Sequence, residues 1–261
     1  SGQKSFVNVE APLSRPKTRR ISSGTRKTPQ KSQAQHEAGQ ELNKEQIEAI
    51  NCMDKPVLVQ AGPGTGKTKT LIKRIGALIT KKMALPEQIT AVTFTRKAAG
   101  ELRERLSAML SPDLADKCWV GTFHQLGARI LNHLEEKGIF QSREKILDEQ
   151  EALSLFKHAI SSSPIRTAIG RISSIFDQIS ILKQNLIRPE DFSSDRLVQE
   201  SYELYEAALK SSGALDLDDL LVWPVKLLTE NPQHAHEFRS SFVRHLLIDE
   251  FQDVNKAQYE M

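Results

Sequence analysis

Eight residues, AGPGTGKT (Ala61–Thr68), separate the short apolar run PVLVQ from KTKTLIKRIGALITKK, whose apolar residues recur at helical spacing. A strand that turns through Gly62, Gly64 and Gly66 straight into a helix leaves the backbone few options. The N–H groups of such a loop can wrap phosphate oxygens, and the helix N-terminus adds a favourable dipole. In that arrangement Lys67 reaches the outer phosphates and the Thr68 hydroxyl ligates Mg²⁺. The strict form of the pattern begins with Gly where this chain has Ala61; the neighbouring glycines keep the turn permissive. The alternative is a Gly-rich turn with a chance Lys-Thr pair. The flanking strand and helix, and an acidic strand end far along the chain, favour phosphate binding.

The surrounding pattern predicts an α/β fold. LNKEQIEAINCM reads as a helix with Asn43 as N-cap and Gln46 where a capping-box partner reaches back to it. ITAVTF and CWVGTF read as further strands, each followed by a helix, RKAAGELRERLSAML and HQLGARILNHLEEK. The alternation implies a parallel sheet with crossover helices. From about Gln150 to Arg244 the apolar spacing is helical and no strand is expected, so this stretch reads as a helical insertion. There Tyr202, Tyr205 and Trp223 read as core packing. FVRHLLIDE then returns to a buried strand of the sheet.

Composition limits the partners. The formal net charge is +3, but residues 1–40 hold eight Lys/Arg against two Glu, so the remainder is net negative. The basic character belongs to that Ser-, Thr- and Lys/Arg-rich tail, which is expected to be a disordered linker. A nucleic-acid argument from whole-chain charge therefore fails. No apolar run reaches the length of a membrane span, and no apolar block at the N-terminus marks a signal peptide. Cys52 and Cys118 are too few for a disulfide framework or a zinc site, and a reducing, cytoplasmic setting is the expectation. A chain that opens on Ser1 suggests a cleaved tag or a piece of something longer, with the tail joining an upstream domain.

In LLIDEFQD, Asp249 follows an apolar run directly, and ligands of open α/β sheets sit at the carboxyl ends of strands. A carboxylate there can hold Mg²⁺ through water, completing the set begun by Thr68. Glu250 is the candidate for orienting and deprotonating an attacking water. The competing reading has these acids capping the next helix, a role that suits Asp253 equally.

With these segments in order, the sequence resembles the UvrD/Rep-type helicases of superfamily 1. LNKEQIEAI resembles the adenine-reading Q motif, AGPGTGKT the phosphate loop, AVTFTRKAAGELRER motif Ia and VGTFHQLGARIL the next DNA-contacting segment. LDLDDLL is similar to an acidic motif ahead of the return strand, and LLIDEFQD to motif II. The resemblance implies a RecA-like P-loop NTPase sheet, incomplete here. It divides the chain into a domain 1A over 41–137 and 244–261 and an all-helical domain 1B over 138–243. It also implies ATP and Mg²⁺ as cofactors, and single-stranded DNA, or DNA with single-stranded tails, as partner, tracked 3′ to 5′.

Carried over by position, Gln46 reads adenine, Gly62, Gly64, Thr65, Gly66, Lys67 and Thr68 hold the phosphates and metal, and Phe94, Thr95, Phe123 and His124 meet the DNA. Aromatic faces stack on any base, while hydroxyl and imidazole groups hold phosphates. Phe94 reads equally as core, His124 also as a helix cap, and Gln46 also as a capping-box residue. Arg105 lies where the family can place a nucleotide-contacting arginine, or on a solvated helix face. Lys69 replaces the Arg common after the loop. The family continues beyond motif II into a sensor strand and domains 2A and 2B, whose arginines stabilise the transferring phosphate. The resemblance therefore implies a gapped sheet and a fragment inactive as a motor. Rival readings are a degenerate ATP-dependent DNA-binding switch or scaffold, and the helicase part of a RecB/AddA-like helicase–nuclease.

Overall fold

The computed structural model describes residues 7–10, 42–141, 145–163, 165 and 171–261. Most of the tail expected to be disordered lies outside these residues. Within it, Val7–Glu10 form a strand, β1. The described chain divides into two compact units, Ser1–Ile89 with Gly100–Cys118, and Thr90–Ala99 with Trp119–Met261.

The first unit is built on α1 (Lys44–Asn51), β2 (Val57–Gln60) and α2 (Lys67–Thr80). β1 pairs parallel with β2, Val7 opposite Val57 and Glu10 opposite Gln60. β2 is only half-buried despite its apolar run, with Gln60 exposed. The stripe Thr70, Ile72, Ile75 and Leu78 buries one face of α2. At Gly76 on that helix, an added Cβ would lie 2.7 Å from Met109 Cε. Met109 ends α3 (Arg96–Met109), which is followed by α4 (Pro112–Lys117).

The second unit carries β3 (Ile89–Thr93, from Thr90), β4 (Trp119–Thr122) and β7 (His245–Ile248), in the spatial order β4-β3-β7. β3 and β4 are parallel, with Thr90 opposite Trp119 and Thr93 opposite Thr122. All five β3 residues are buried, as the middle strand requires. β7 was expected to be buried, yet Leu246 is exposed and only Leu247 is fully enclosed. Among the described residues β7 is an end strand of this sheet, paired with β3 alone. A two-residue parallel pair, β5 (Lys145–Ile146) with β6 (Ala214–Leu215), corrects the expectation that 150–244 holds no strand. Two residues are too few to produce an alternating pattern.

Helices fill the rest of this unit: α5 (Phe123–Glu136), α6 (Glu149–Ser161), α7 (Ile172–Gln184), α8 (Arg196–Ser211), α9 (Asp219–Glu230), α10 (Pro232–Phe242) and α11 (Lys256–Glu260). Their buried residues form two clusters. Phe156, Ile179, Tyr202 and Tyr205 centre the one shared by α6, α7 and α8, where the rings of Phe156, Phe176 and Tyr205 lie 5.5–5.6 Å apart. Leu220, Leu221, Leu227 and Phe238 from α9 and α10 instead join Val92, Phe123, Leu126 and Ile130 in the core beside the sheet. The chain from 138 to 243 is thus not one packing body: its last two helices belong with the strands. Tyr202 and Tyr205 are core residues as expected, and Trp223 packs half-buried against the second cluster.

α5 and α9 approach so closely that a Cβ on Gly127 would fall 1.8 Å from the Leu220 carbonyl oxygen. Gly127→Ala should therefore lower stability by about 1–3 kcal/mol or more through overpacking. Gly100 on α3 has nothing within 4 Å of such a Cβ, and Gly100→Ala should raise stability by up to about 1 kcal/mol through helix propensity. Chemical denaturation of the two variants checks the contrast; equal stabilities would contradict the close approach.

Candidate functional site

The loop between β2 and α2 turns by left-handed backbone at two glycines, Gly64 (φ 73°) and Gly66 (φ 88°), the latter forming the N-cap of α2. These angles are open to glycine at little cost and strained for most side chains. The loop is tied internally: Thr65 Oγ1 donates to the Gly62 carbonyl at 2.7 Å, and Lys67 Nζ to the Ala61 carbonyl at 3.2 Å. Thr68 and Lys69 follow, half-buried, in the first turn of α2.

Gln46 takes the capping-box role weighed for it and also contacts the loop. Its Oε1 accepts the Asn43 N–H at 2.9 Å, and its backbone N–H donates to Asn43 Oδ1 at 2.7 Å, completing the capping box of α1. Its Nε2 donates to the Thr65 carbonyl at 2.9 Å. A cleft bordered by Asn43, Gln46, Val59, Ala61, Thr65 and Lys67 opens beside the loop. Its lining includes the Gln46 amide and the Lys67 ammonium, groups that suit a ligand with a polar edge and an anionic part. Arg105 is half-buried on α3 within the same unit.

In the second unit, Asp249 donates its N–H to the Val92 carbonyl at 3.0 Å, extending the β3–β7 contact by one residue. The next residue, Glu250, takes φ 53°, a left-handed conformation without glycine. Non-glycine residues held there are strained and concentrate at functional turns. Asp249 Oδ1 accepts the Glu250 N–H at 3.2 Å, and the Gln252 amide donates to Glu250 Oε2 at 2.7 Å. Asn255 caps the following helix, with Gln258 as its capping-box partner. Glu250 stands at the N-cap position of the intervening 3₁₀ turn Phe251–Asp253 but makes no side-chain cap bond there, and the cap of α11 is Asn255.

At the other strand end, Thr122 and Gln125 form the capping box of α5, so His124 is not the cap. His124 is half-buried, and burial lowers its pKa against the opposing effect of Asp218. Phe123 is corrected: only 2% of it is exposed, and it packs edge-to-face on Phe94 with centroids 5.5 Å apart. A ring enclosed in the core has no face left for a base. Phe94 is half-buried beside it, and Thr95 is exposed, its hydroxyl accepting the Ala98 N–H at 3.1 Å. A hydroxyl that accepts one bond still donates another.

The acidic motif LDLDDLL is a structural hub. Lys183, 2% exposed, lies 2.8 Å from Asp216 and from Asp219, and 3.1 Å from Glu206. Burial opposes its charge, but those carboxylates hold its pKa well above the usual lysine value. Tyr205 donates to Asp216 at 3.0 Å. Asp218 receives bonds from Ser180 and Gln184, and Asn255 donates to Gln184 at 3.4 Å. Burial raises the pKa of Asp218 and pushes Asp219 up to about 7. Reading by residue type missed Lys183; its signal was its place beside the stripe Ile175, Ile179 and Leu182. It also missed Arg74, which donates to two carbonyls of the α1 end.

The family described as UvrD/REP helicase N-terminal domain matches residues 42–261. The chain belongs to this family. It is 36% identical over 224 residues to the ATP-dependent DNA helicase PcrA of Leuconostoc citreum and, to the same extent, to that of Bacillus subtilis. It is 32% identical over 226 residues to that of Staphylococcus epidermidis. Each match covers 84% of this chain and 30–31% of the relative, so the chain spans about three tenths of their length. Among the described residues no helix is long and apolar enough to cross a membrane.

Because folding raises the proton affinity of Asp219, the folded state keeps a proton that the unfolded chain has lost between pH 3.8 and about 7. Stability from this group therefore falls as pH rises across that window. Asp219→Asn should flatten the dependence, as read from denaturation midpoints at pH 4, 5.5 and 7. An unchanged slope would show that another group titrates.

Proposed function

We propose that this chain is the ATP-binding part of a DNA helicase or translocase that couples hydrolysis to movement along single-stranded DNA, 3′ to 5′. The observation that carries the reading is a cleft lined by both Gln46 and Lys67, beside a loop turned by left-handed glycines. A nucleoside triphosphate matches it, with a base edge for the amide and phosphates for the loop N–H groups and ammonium. We assign 41–137 and 244–261 to a domain 1A and the intervening helices before α9 to a helical domain 1B. We place α9 and α10 with the strands on the strength of their shared core.

We further propose that Asp249 and Glu250 meet the loop around one Mg²⁺–ATP. Among the described residues no three His, Cys, Asp or Glu side chains gather as a metal site. Magnesium needs no such group: it takes few protein oxygens and completes its shell with phosphate and water. Thr68 and Asp249 offer the hard oxygen donors it prefers. When bound, the ion neutralises charge developing on the phosphates. Lys67 binds the outer phosphates, releasing the Ala61 carbonyl. Glu250, held by Gln252, orients the attacking water and accepts its proton. On the DNA side, Phe94 offers stacking, and Thr95 and His124 hold phosphates; burial keeps His124 a neutral donor near pH 7. Phe123 supports Phe94 from behind.

The test is ATP binding and hydrolysis by this chain and by any longer polypeptide that contains it. Lys67→Ala should abolish turnover by at least about a hundredfold, the scale of losing a preorganised transition-state donor. Glu250→Gln should bind ATP normally and not turn it over. Normal turnover in Glu250→Gln would remove that residue from water activation.

A further inference from the structure

We infer that Arg74 is a positioning residue for base selection: it anchors the far end of α1 and so sets where Gln46 presents its amide. The inference rests on ATP occupying the cleft.

α1 has eight residues, about two turns, too short to be stable by its own hydrogen bonds. Its placement depends on what holds each end. At the N-terminal end the Asn43–Gln46 capping box closes the first turn. The last carbonyls of a helix have no partners within it. Here one nitrogen of Arg74, Nη1, donates to the Ala49 carbonyl at 2.6 Å and to the Cys52 carbonyl at 2.5 Å. A cation at a helix C-terminus also meets the negative end of its dipole. Lys81 adds a second tie, Nζ to Asn51 Oδ1 at 2.7 Å. Arg74 and Lys81 thus fasten the end of α1 to the helix that begins at the phosphate loop, or to the residue just after it. Arg74 is half-buried, and burial lowers its basicity, as for a group that has exchanged water for fixed acceptors.

The Gln46 amide is pinned from both sides, its oxygen by Asn43 N–H and its nitrogen by the Thr65 carbonyl. An amide oxygen accepts two bonds and an amide nitrogen donates two. One acceptor site on the oxygen and one donor hydrogen on the nitrogen therefore remain, and which atom is which is fixed by the two bonds already made. Adenine presents the complementary donor and acceptor at N6 and N7, whereas guanine presents two acceptors at O6 and N7. Selection between them requires that the amide neither flip nor drift. The Asn43 and Thr65 bonds prevent the flip, and the Arg74 clasp prevents the drift.

The experiment is competition binding of ATP and GTP to the wild-type chain, Arg74→Gln, Arg74→Lys, Gln46→Ala and the Gln46→Ala/Arg74→Gln pair. The wild type should prefer ATP, and Arg74→Gln should lose about tenfold of that preference, the scale of one base-edge contact. The loss should lie in ATP affinity with GTP little changed. Arg74→Lys should recover part of it, and the double variant should discriminate no less than Gln46→Ala alone. A purely structural role would weaken both nucleotides alike, and that result would overturn the inference, as would an unchanged ATP:GTP ratio or a wild type that prefers neither. A wild type that binds no nucleotide would instead remove the reading on which the inference rests. If Arg74→Gln fails to fold, Arg74→Lys carries the same readout, because it keeps the charge and loses the guanidinium geometry.

Discussion

Two turns of left-handed backbone carry the proposed chemistry, and they are made differently. At Gly64 and Gly66 the chain leaves β2 and enters α2 through angles that cost glycine little. That conformation lets the Thr65 carbonyl meet the Gln46 amide. A Cβ on Gly66 would already sit 3.3 Å from Gln46 Nε2, tight for an added side chain. At Glu250 the same region of conformational space is occupied by a residue with a carboxylate, at a cost of about 1–2 kcal/mol. Hydrogen bonds with Asp249 and Gln252 hold it there. A glycine would relieve the strain and remove the acid. The strained turn places a charged group at the tip of a strand.

The second unit shows how an acidic motif can look catalytic and be largely structural. Asp216 and Asp219 are spent on a buried lysine, and Asp218 on Ser180 and Gln184. Removing one partner from such a cluster leaves uncompensated buried charge, which is more damaging than the cluster is stabilising. The hub joins α7, α8 and the start of α9, while Gly127 lets α5 press closely against α9. Phe94, Thr95 and His124, which we propose meet DNA, stand at strand and helix ends of this unit.

Much of the outline was legible because it rests on local rules. The capping box of Asn43 and Gln46, the strand–loop–helix at AGPGTGKT and the helical spacing after Gln150 each follow from neighbouring residues. What was not legible depended on long-range partners. The half-exposure of β2 and β7 follows from their place in small sheets, which an apolar run does not reveal. Phe123 and Phe94 share a chemical type, and only the packed core decides which is enclosed. The assignment of α9 and α10 to the core beside the strands depends on residues brought together from distant positions, among them Gly127, which meets a carbonyl some ninety positions later. Lys183 is polar by type and buried by position, a combination that becomes visible once its three acidic partners are in place.

The claim on which the function depends is that Thr68 and Asp249 ligate the same ion. Mn²⁺ bound together with ATP, followed by electron paramagnetic resonance, reads this directly through a double-mutant cycle of Thr68→Ala and Asp249→Asn. If both side chains hold one metal, each single variant weakens the nucleotide-dependent Mn²⁺ signal and the pair loses clearly less than the sum. Independent, additive losses, or an Asp249→Asn variant that binds Mn²⁺–ATP as the wild type does, would contradict the account.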